Sequence, residues 1–277
     1  MKTIIVPVDF SEYSEYALKV AAKLSKKNEV EILALHMLDI QSNSVGESAS
    51  YFQEKSAFLY QIAKKRFQEF LKKEYLEGVN IKPIIKHFKV FSEINEVAKE
   101  ENADLIIMGS HGATGLKELF VGSNTEKVIR FSEIPVLVIK NDMTDFSFDE
   151  VVFATDLSKE SVGTYIRVKS IVNDFNGKLH IVYVNTPYTD FKTTYEMENL
   201  AADFFMIAEG NTERMKEVKF ICDKDVENGI LNFANSFGAD LIALSTHARK
   251  GLSHFFEGSI SEDIANHASL PILTLKL

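Results

Sequence analysis

Three short motifs occur twice in this chain, in the same order, and this repetition limits the fold more than any other feature of the sequence. Val8-Asp9-Phe10-Ser11 returns as Thr155-Asp156-Leu157-Ser158. Ala103-Asp104-Leu105-Ile106-Ile107 returns as Ala239-Asp240-Leu241-Ile242-Ala243, and Ile134-Pro135-Val136-Leu137 as Leu270-Pro271-Ile272-Leu273. Each copy is of ordinary domain size, so one unit is written twice. The first pair lies 147 residues apart and the other two 136, so the first copy carries about eleven extra residues between its second and third strands. Residues 1–140 form one predicted domain and residues 151–277 the other. Residues 141–150, with four acids and no apolar periodicity, read as a linker.

Within the first copy, short apolar runs alternate with longer amphipathic ones. Ile4–Val8, Val30–Met37, Ile81–Ile85, Asp104–Met108 and Val136–Ile139 suit strands buried on both faces of a parallel sheet. Tyr13–Leu24 places Tyr16, Ala17, Val20 and Leu24 on one helical stripe. Phe52–Tyr75 spaces Phe52, Leu59, Ile62, Phe67, Phe70 and Leu71 along a broad second one. The fold class predicted is α/β: two tandem doubly wound domains, each a five-stranded parallel sheet of Rossmann-like type. Such sheets bind ligands beyond the carboxyl ends of their strands, where strand order reverses. The residues just after strands one, two and four are therefore the ones to examine.

After the fourth strand the chain reads Gly109-Ser110-His111-Gly112, then nine residues, then Gly122-Ser123. Glycines there let the backbone turn sharply and approach a ligand, and free N–H groups form an anion-binding concavity. Ser123 and Glu126 have capping-box spacing, which predicts a helix start, and a helix start is itself a phosphate site. The Ser123 hydroxyl has two readings, a phosphate donor or the cap of its own helix. The bland reading of the whole segment is a plain strand-to-helix connection; four small residues at the ligand edge of the sheet favour phosphate binding. No Gly-Lys-Ser/Thr occurs in the chain, so this is not a P-loop. Nor is it the dinucleotide fingerprint, which follows a first strand.

The spacing Gly-x-x-Gly, nine residues, Gly-Ser resembles the ATP-binding signature of the universal stress protein (UspA) family. The text "IIMGSHGATGLKELFVGSNTEKVIRFSEIPVLVIK" is similar to that family's C-terminal half, and "IIVPVDFSEYSEYAL" and "LALHML" match its first two strands. The resemblance covers nearly all of residues 1–140 and continues more weakly over 150–277, as in a tandem member. It implies roles by position. Asp9 matches the family acid near the adenosine, with Pro7 and Val8 walling the base. Met37 matches the position whose backbone meets adenine, and Met108 would contact the nucleoside. Gly109, Gly112, Gly122 and Ser123 would hold the phosphates, with Asn124 and Thr125 as further helix-start donors. The resemblance also implies ATP as ligand, Mg2+ accompanying it, and pairing of domains through the last strand. A tandem chain would make that pair internally, burying Val136–Ile139 against Pro271–Leu275; a homodimer is a further form. The alternative reading of Asp9 is a cap for the helix near Ser11. Met37 and Met108 would be ordinary core residues without a nucleotide.

The second copy departs from the signature. Gly109 becomes Ser245, Gly112 becomes Ala248, and Pro7 and Val8 become Ala154 and Thr155; Asp156, Gly258-Ser259 and Glu262 survive. A Cβ at both loop glycines restricts positive φ and holds the backbone off a phosphate. Residues 1–140 hold 19 basic and 19 acidic side chains, so the whole net charge of −9 falls in residues 141–277. The second site is therefore expected to bind ATP poorly or not at all, although Arg249-Lys250 would partly compensate.

Charge and composition exclude other classes. A net charge of −9 argues against a general nucleic-acid binder. No apolar run approaches the ~20 residues of a membrane helix, and the N-terminus reads as a first strand rather than a signal peptide. The single cysteine, Cys222, suits a reducing compartment, and a cytoplasmic protein is expected. His111, His247, His254, His267, Asp156, Cys222 and Asp223 lack metal-site spacing. Ser110, His111 and Asp9 lack a nucleophile elbow. No catalytic residue stands out. The expected function is an adenine-nucleotide-binding regulatory protein of the stress response, with slow hydrolysis at most. One alternative is an ATP-independent ligand-sensing or interaction module using the Phe-rich, acidic stretch Tyr188–Ile207. A less favoured one is an adenylating enzyme, whose Ser-Gly-Gly-x-Asp-Ser motif is missing at Val8-Asp9-Phe10-Ser11.

Overall fold

The computed structural model describes residues 1–38, 49–87, 90–111, 122–143, 145–187, 191–246 and 264–277. The first repeat runs β1 (Thr3–Pro7), α1 (Glu12–Asn28), β2 (Glu31–Leu38), α2 (Ala49–Phe70), β3 (Ile81–His87), α3 (Val90–Glu100), β4 (Leu105–Gly109), α4 (Ser123–Phe131) and β5 (Val136–Ile139). The second runs β6 (Glu150–Ala154), α5 (Val162–Asp174), β7 (Lys178–Asn185), α6 (Thr194–Glu209), β8 (Lys219–Cys222), α7 (Val226–Phe237), β9 (Leu241–Thr246) and β10 (Ile272–Lys276). Residues 264–267 are helical as well.

The two five-stranded sheets are one. Ten strands lie in the order β3-β2-β1-β4-β5-β10-β9-β6-β7-β8. Every neighbouring pair is parallel except the central β5 and β10, which run antiparallel with Val138 opposite Ile272 and Val136 opposite Thr274. Each repeat is thus a parallel half-sheet, and the halves meet at their last strands. The join covers what would be two apolar edges: all four residues of β5 and the first four of β10 are buried. The outer edges are protected differently. β3 carries Lys82, Pro83 and Lys86, and β8 is only four residues long. Because β5 and β10 oppose each other, the carboxyl ends of the two half-sheets face opposite sides of the molecule.

Register locates the insertion. β1 and β2 pair as Ile4 with Ile32, and β6 with β7 as Val151 with Leu179, both shifted by the same distance. Leu35 pairs with Ile84, whereas its counterpart Val182 pairs with Lys219, so the extra residues lie between β2 and β3. Part of them lengthens α2, which ends at Phe70 instead of continuing to Tyr75. The Lys72 amide bonds Glu69 O in a tightened last turn, and a short 3-10 turn over Glu74–Leu76 then brings Leu76 into the core.

One hydrophobic cluster runs across both repeats on the face covered by α1, α2, α5 and α6. The opposite face has two clusters, one per repeat, and Ala265 of the second repeat packs into the first repeat's cluster beside Val128 and Ile129. Residues 141–150 are not a solvated spacer. Phe146 and Phe148 are buried in the shared core, Phe148 stacks on Phe175 at 4.7 Å, and Asp142 pairs with Lys19 at 2.5 Å. Two aromatic residues outweigh the four acids around them, because burying each is worth about 1.5–3 kcal/mol. Lys140 ties the repeats again, donating to Asn266 O at 2.9 Å and Ala268 O at 2.5 Å.

Candidate functional site

A cleft of about 210 Å³ opens where β1, β2 and β4 end, at the point where strand order reverses. Pro7, Val8 and Asp9 line it from the end of β1, Met37 from β2, and Met108 and Gly109 from β4. Gly122, Ser123, Asn124 and Thr125 line it from the start of α4. Gly112 lies outside the described residues. Five lining residues fall outside the motif reading: Ser14, Leu35, His36, Ile94 and His111.

The turn after β1 is built around Asp9. Its Oδ1 accepts the Ser11 amide at 3.0 Å and the Ser11 hydroxyl at 2.5 Å. Ser11 is the N-cap of α1, its Oγ accepting from the Ser14 amide at 3.3 Å. Asp9 therefore does not cap the helix itself; it fixes the residue that does. Phe10 between them sits at φ 65°, left-handed backbone that a bulky residue adopts only under constraint. The second repeat keeps the same turn, with Leu157 at φ 57° and Asp156 Oδ1 accepting the Ser158 amide at 3.0 Å.

His36 completes this turn. Its Nδ1–H donates to Val8 O at 2.7 Å, and its ring packs against Phe10 at 4.5 Å and Phe67 at 6.0 Å. Burial, helped by the Arg66 charge, holds its pKa below the ordinary histidine value. The ring is therefore neutral at pH 7, with Nε2 an acceptor. A sequence signal existed: His36 is the one polar residue in the apolar run Ile32–Leu38.

The backbone of β2 also reaches the cleft. Ile32 directs its amide at β3, bonding Asn80 O, and Leu35 directs its carbonyl at β1, accepting from Val8 N at 2.8 Å. Alternation along the strand turns the Met37 N–H and C=O to the β1 side as well. β1 pairs with β2 only as far as Pro7 with Leu35. The Met37 groups therefore extend past the end of β1 into the cleft.

At β4 and α4 two amides of the predicted cradle are used within the fold. Gly109 is the last residue of β4, and the Ser110 amide continues the ladder to Ile139 O at 2.9 Å. The Gly122 amide bonds Ser110 O at 2.7 Å. Neither amide faces the cleft, because the sheet and the loop closure use them first. Gly109 is required for another reason: a Cβ there would lie 2.7 Å from the Tyr13 backbone, so its absence admits the first turn of α1. The capping box is also absent. The N-cap is Gly122, without a side-chain cap, and Ser123 is the first helical residue and exposed. At that position helical backbone turns the side chain away from the amides that a cap must reach. Glu126 pairs with Arg130 at 3.3 Å instead. Thr125 is a donor of a different kind, its buried hydroxyl bonding Gly109 O at 2.9 Å and fixing α4 to β4. The first bond within α4 runs from Glu126 N to Gly122 O, so the amides of Ser123, Asn124 and Thr125 precede the helical ladder and carry the positive end of its dipole.

Ser110 is buried and its Oγ lies 2.9 Å from His111 Nδ1, while the His111 ring stands 5.0 Å from that of Tyr13. The described lining contains no Lys or Arg.

The same position in the second repeat is closed down. Ala154, Thr155, Asp156, Val182, Tyr183, Val184, Val226 and Ile230 surround only about 10 Å³. Tyr183 stands where His36 stands, and Val184 where Met37 does. α7 presses on Val184 so closely that a Cβ on Gly229 would sit 2.6 Å from its Cγ1. Thr155 Oγ1 accepts the Leu157 amide at 3.0 Å and meets Ser161 Oγ at 3.1 Å. Ser245, the counterpart of Gly109, is tolerated because α5 starts at Val162, three residues later in the repeat than α1. His247, Ala248, Arg249, Lys250, His254, Gly258, Ser259 and Glu262 lie outside the described residues.

The sequence profile of the universal stress protein family matches residues 1–140 and again residues 147–276. The chain belongs to the universal stress protein family. Universal stress protein MJ0577 of Methanocaldococcus jannaschii is 36% identical over 153 residues, spanning 50% of this chain and 94% of that protein. Universal stress protein YxiE of Bacillus subtilis is 30% identical over 144 residues, again 50% of this chain and 97% of its own length. Such relatives correspond to a single repeat. The crystal structure of a universal stress protein from Archaeoglobus fulgidus matches 99% of this chain and 96% of its own at 25% identity, with a TM-score of 0.65. A universal stress protein of two repeats is therefore the architecture here. Among the described residues no helix is long and apolar enough to cross a membrane. Among them too, no three His, Cys, Asp or Glu side chains come together as a metal site.

Proposed function

We propose that this universal stress protein binds an adenine nucleotide, ATP, in the cleft of its first repeat and acts as a nucleotide-dependent regulator. The observation that carries the reading is the gradient along the cleft. One end offers Leu35, Ile94 and Met108 and the open backbone edge of Met37; the other offers the start of α4. An adjacent N–H and C=O of one residue match the acceptor N1 and the amino group of adenine, so Met37 recognises the base while Pro7 and Val8 wall it. Asp9, at the rim, reaches the ribose. The amides of Ser123, Asn124 and Thr125 hold the phosphates, because unbonded N–H groups at a helix start favour anions. The family signature at Gly109, Gly112, Gly122 and Ser123 supports the same assignment.

Asp9 is the one carboxylate in the described lining, so Mg2+ would arrive on the phosphates with at most one protein ligand. No described lining residue supplies the cation that fast phosphoryl transfer requires, which favours binding over turnover.

Ser123→Pro tests the reading cleanly. Proline is accepted at a first helical position and removes only the N–H. One charge-assisted bond is worth about 1.5–3 kcal/mol, so ATP affinity should fall roughly 10- to 100-fold by calorimetry. Adenosine affinity and melting temperature should not change. Equal ATP affinity in the variant and the parent protein rules out phosphate at the start of α4.

A further inference from the structure

Among the described residues, several of the most exposed apolar side chains lie on α2 and α6. These helices are counterparts, each following the second strand of its repeat. On α2, Tyr51, Phe58 and Ile62 are 54%, 67% and 40% exposed. On α6, Tyr195 is 73% and Met206 53% exposed. Spacings of seven and eleven residues put Tyr51, Phe58 and Ile62 on one stripe. The same spacings align Tyr195, Ala202 and Met206 on the other helix, so the second stripe dips at Ala202 between two large side chains. In both helices a different stripe faces the core, with Phe67 buried on α2 and Ala201, Phe204 and Phe205 on α6. Each helix thus carries a second apolar stripe that is largely exposed among the described residues.

The charges around the two stripes are opposite. α2 carries four cations and two anions; Lys55, Lys65 and Glu69 lie on the exposed stripe itself, and Glu69 is paired with Lys72 at 2.9 Å. α6 carries four anions and no cation, and Glu198 and Asp203 flank Ala202. Both helices cover the same face of the sheet, at opposite ends of its strand order. Turning a second molecule over about an axis along the central strands lays its α6 end above the α2 end of the first, and its α2 end above the α6 end.

We propose that α2 docks on α6 of a second copy of this chain, and that a twofold, face-to-face dimer makes the contact twice. Phe58 enters the dip at Ala202, and Lys55 and Lys65 meet Glu198 and Asp203. Self-complementarity of this kind is what a twofold interface requires. Like-charged helices, α2 on α2 or α6 on α6, repel, which selects the pairing. The inference goes beyond the nucleotide site and shares no residue with it.

Analytical ultracentrifugation of the full chain tests the proposal. The parent protein should be dimeric at about 100 µM in roughly 0.05 M salt, and weaken on raising salt to about 0.5 M, because exposed pairs are screened. Phe58→Asp should raise the dissociation constant at least about tenfold, as expected of a central anchor. Lys55→Glu/Lys65→Glu should be monomeric, and so should Glu198→Lys/Asp203→Lys. An equimolar mixture of these two double variants should form a one-to-one heterodimer, because each then offers the charge the other lacks on both helices. Circular dichroism of each variant checks folding, and the mixing result itself requires both to be folded. A parent chain that is monomeric throughout, or a dimer indifferent to Phe58→Asp and to both charge reversals, overturns the proposal. Ser123→Pro should leave the dimer unchanged, so loss of ATP binding and loss of this interface are separate outcomes.

Discussion

The two repeats share strand order, the strained turn after the first strand and the position of the ligand edge, yet one edge is open and the other filled. The strained turn shows what the difference is not. Phe10 and Leu157 adopt the same left-handed backbone, and Asp9 and Asp156 brace it in the same way. The divergence lies in what packs on that frame. In the first repeat a glycine admits α1 against β4, a histidine props the turn, and the end of β2 lines the cleft. In the second, Tyr183 and Val184 fill the space and α7 descends on Val184. Fold and cleft are therefore separable: the sheet tolerates either filling, because ligand-edge residues lie beyond its hydrogen-bonded ladder.

The sharpest way to break this comparison is stoichiometry. Calorimetry with ATP and Mg2+ should give one site per chain, lost in a variant damaged only in the first repeat; two equal sites would erase the distinction between the repeats. Next in size is the glycine contrast. Gly109→Ala forces a methyl against the Tyr13 backbone and should cost about 2–4 kcal/mol by urea denaturation. Ser245→Gly at the matching position should cost less, about 1–2 kcal/mol, from backbone entropy and the loss of a small buried side chain. Thr155→Val should follow, at about 1–2 kcal/mol, because it leaves the buried Leu157 amide without its acceptor. The smallest effect belongs to His36. Its pKa is lowered in the folded chain, so the unfolded chain binds more protons as pH falls below about 6.5. The folded state is then most stable above that pH and loses stability between there and its own lower pKa. His36→Asn, which keeps a donor for Val8 O, should flatten the decline in melting temperature between pH 7 and 5.5. Tyr183, its counterpart in the second repeat, places no imidazole at that turn.

Much of the site was legible because its residues are contiguous with strand ends. A short apolar run ending in Pro7-Val8-Asp9, another ending in Met108-Gly109 and a helix starting near Gly122 each announce themselves locally. What remained hidden depends on partners distant in sequence. His36 reads as an anomaly in a strand until Val8 and Phe10 are beside it. Gly109 reads as a phosphate glycine from its loop, and its second role, admitting Tyr13 at 2.7 Å from the missing Cβ, shows only when α1 is in place. Ser123 and Glu126 have the spacing of a capping box, but the helix begins one residue earlier than that box requires. Residues 141–150 look like a spacer because their acids outnumber their aromatics, and burial of Phe146 and Phe148 overrides the count.

Local sequence pattern was enough to show that one α/β unit is repeated and how its strands alternate with helices. These follow from hydrophobic period and turn chemistry, which act over a few residues. Long-range contacts decided that the two sheets are a single sheet, that the Ser110 and Gly122 amides bond within the fold while those of Ser123 to Thr125 precede the α4 ladder, and that Tyr183 and Val184 crowd the second cleft. Each of those is settled by which groups meet across the chain, and a backbone N–H bonds the nearest carbonyl whatever motif it belongs to.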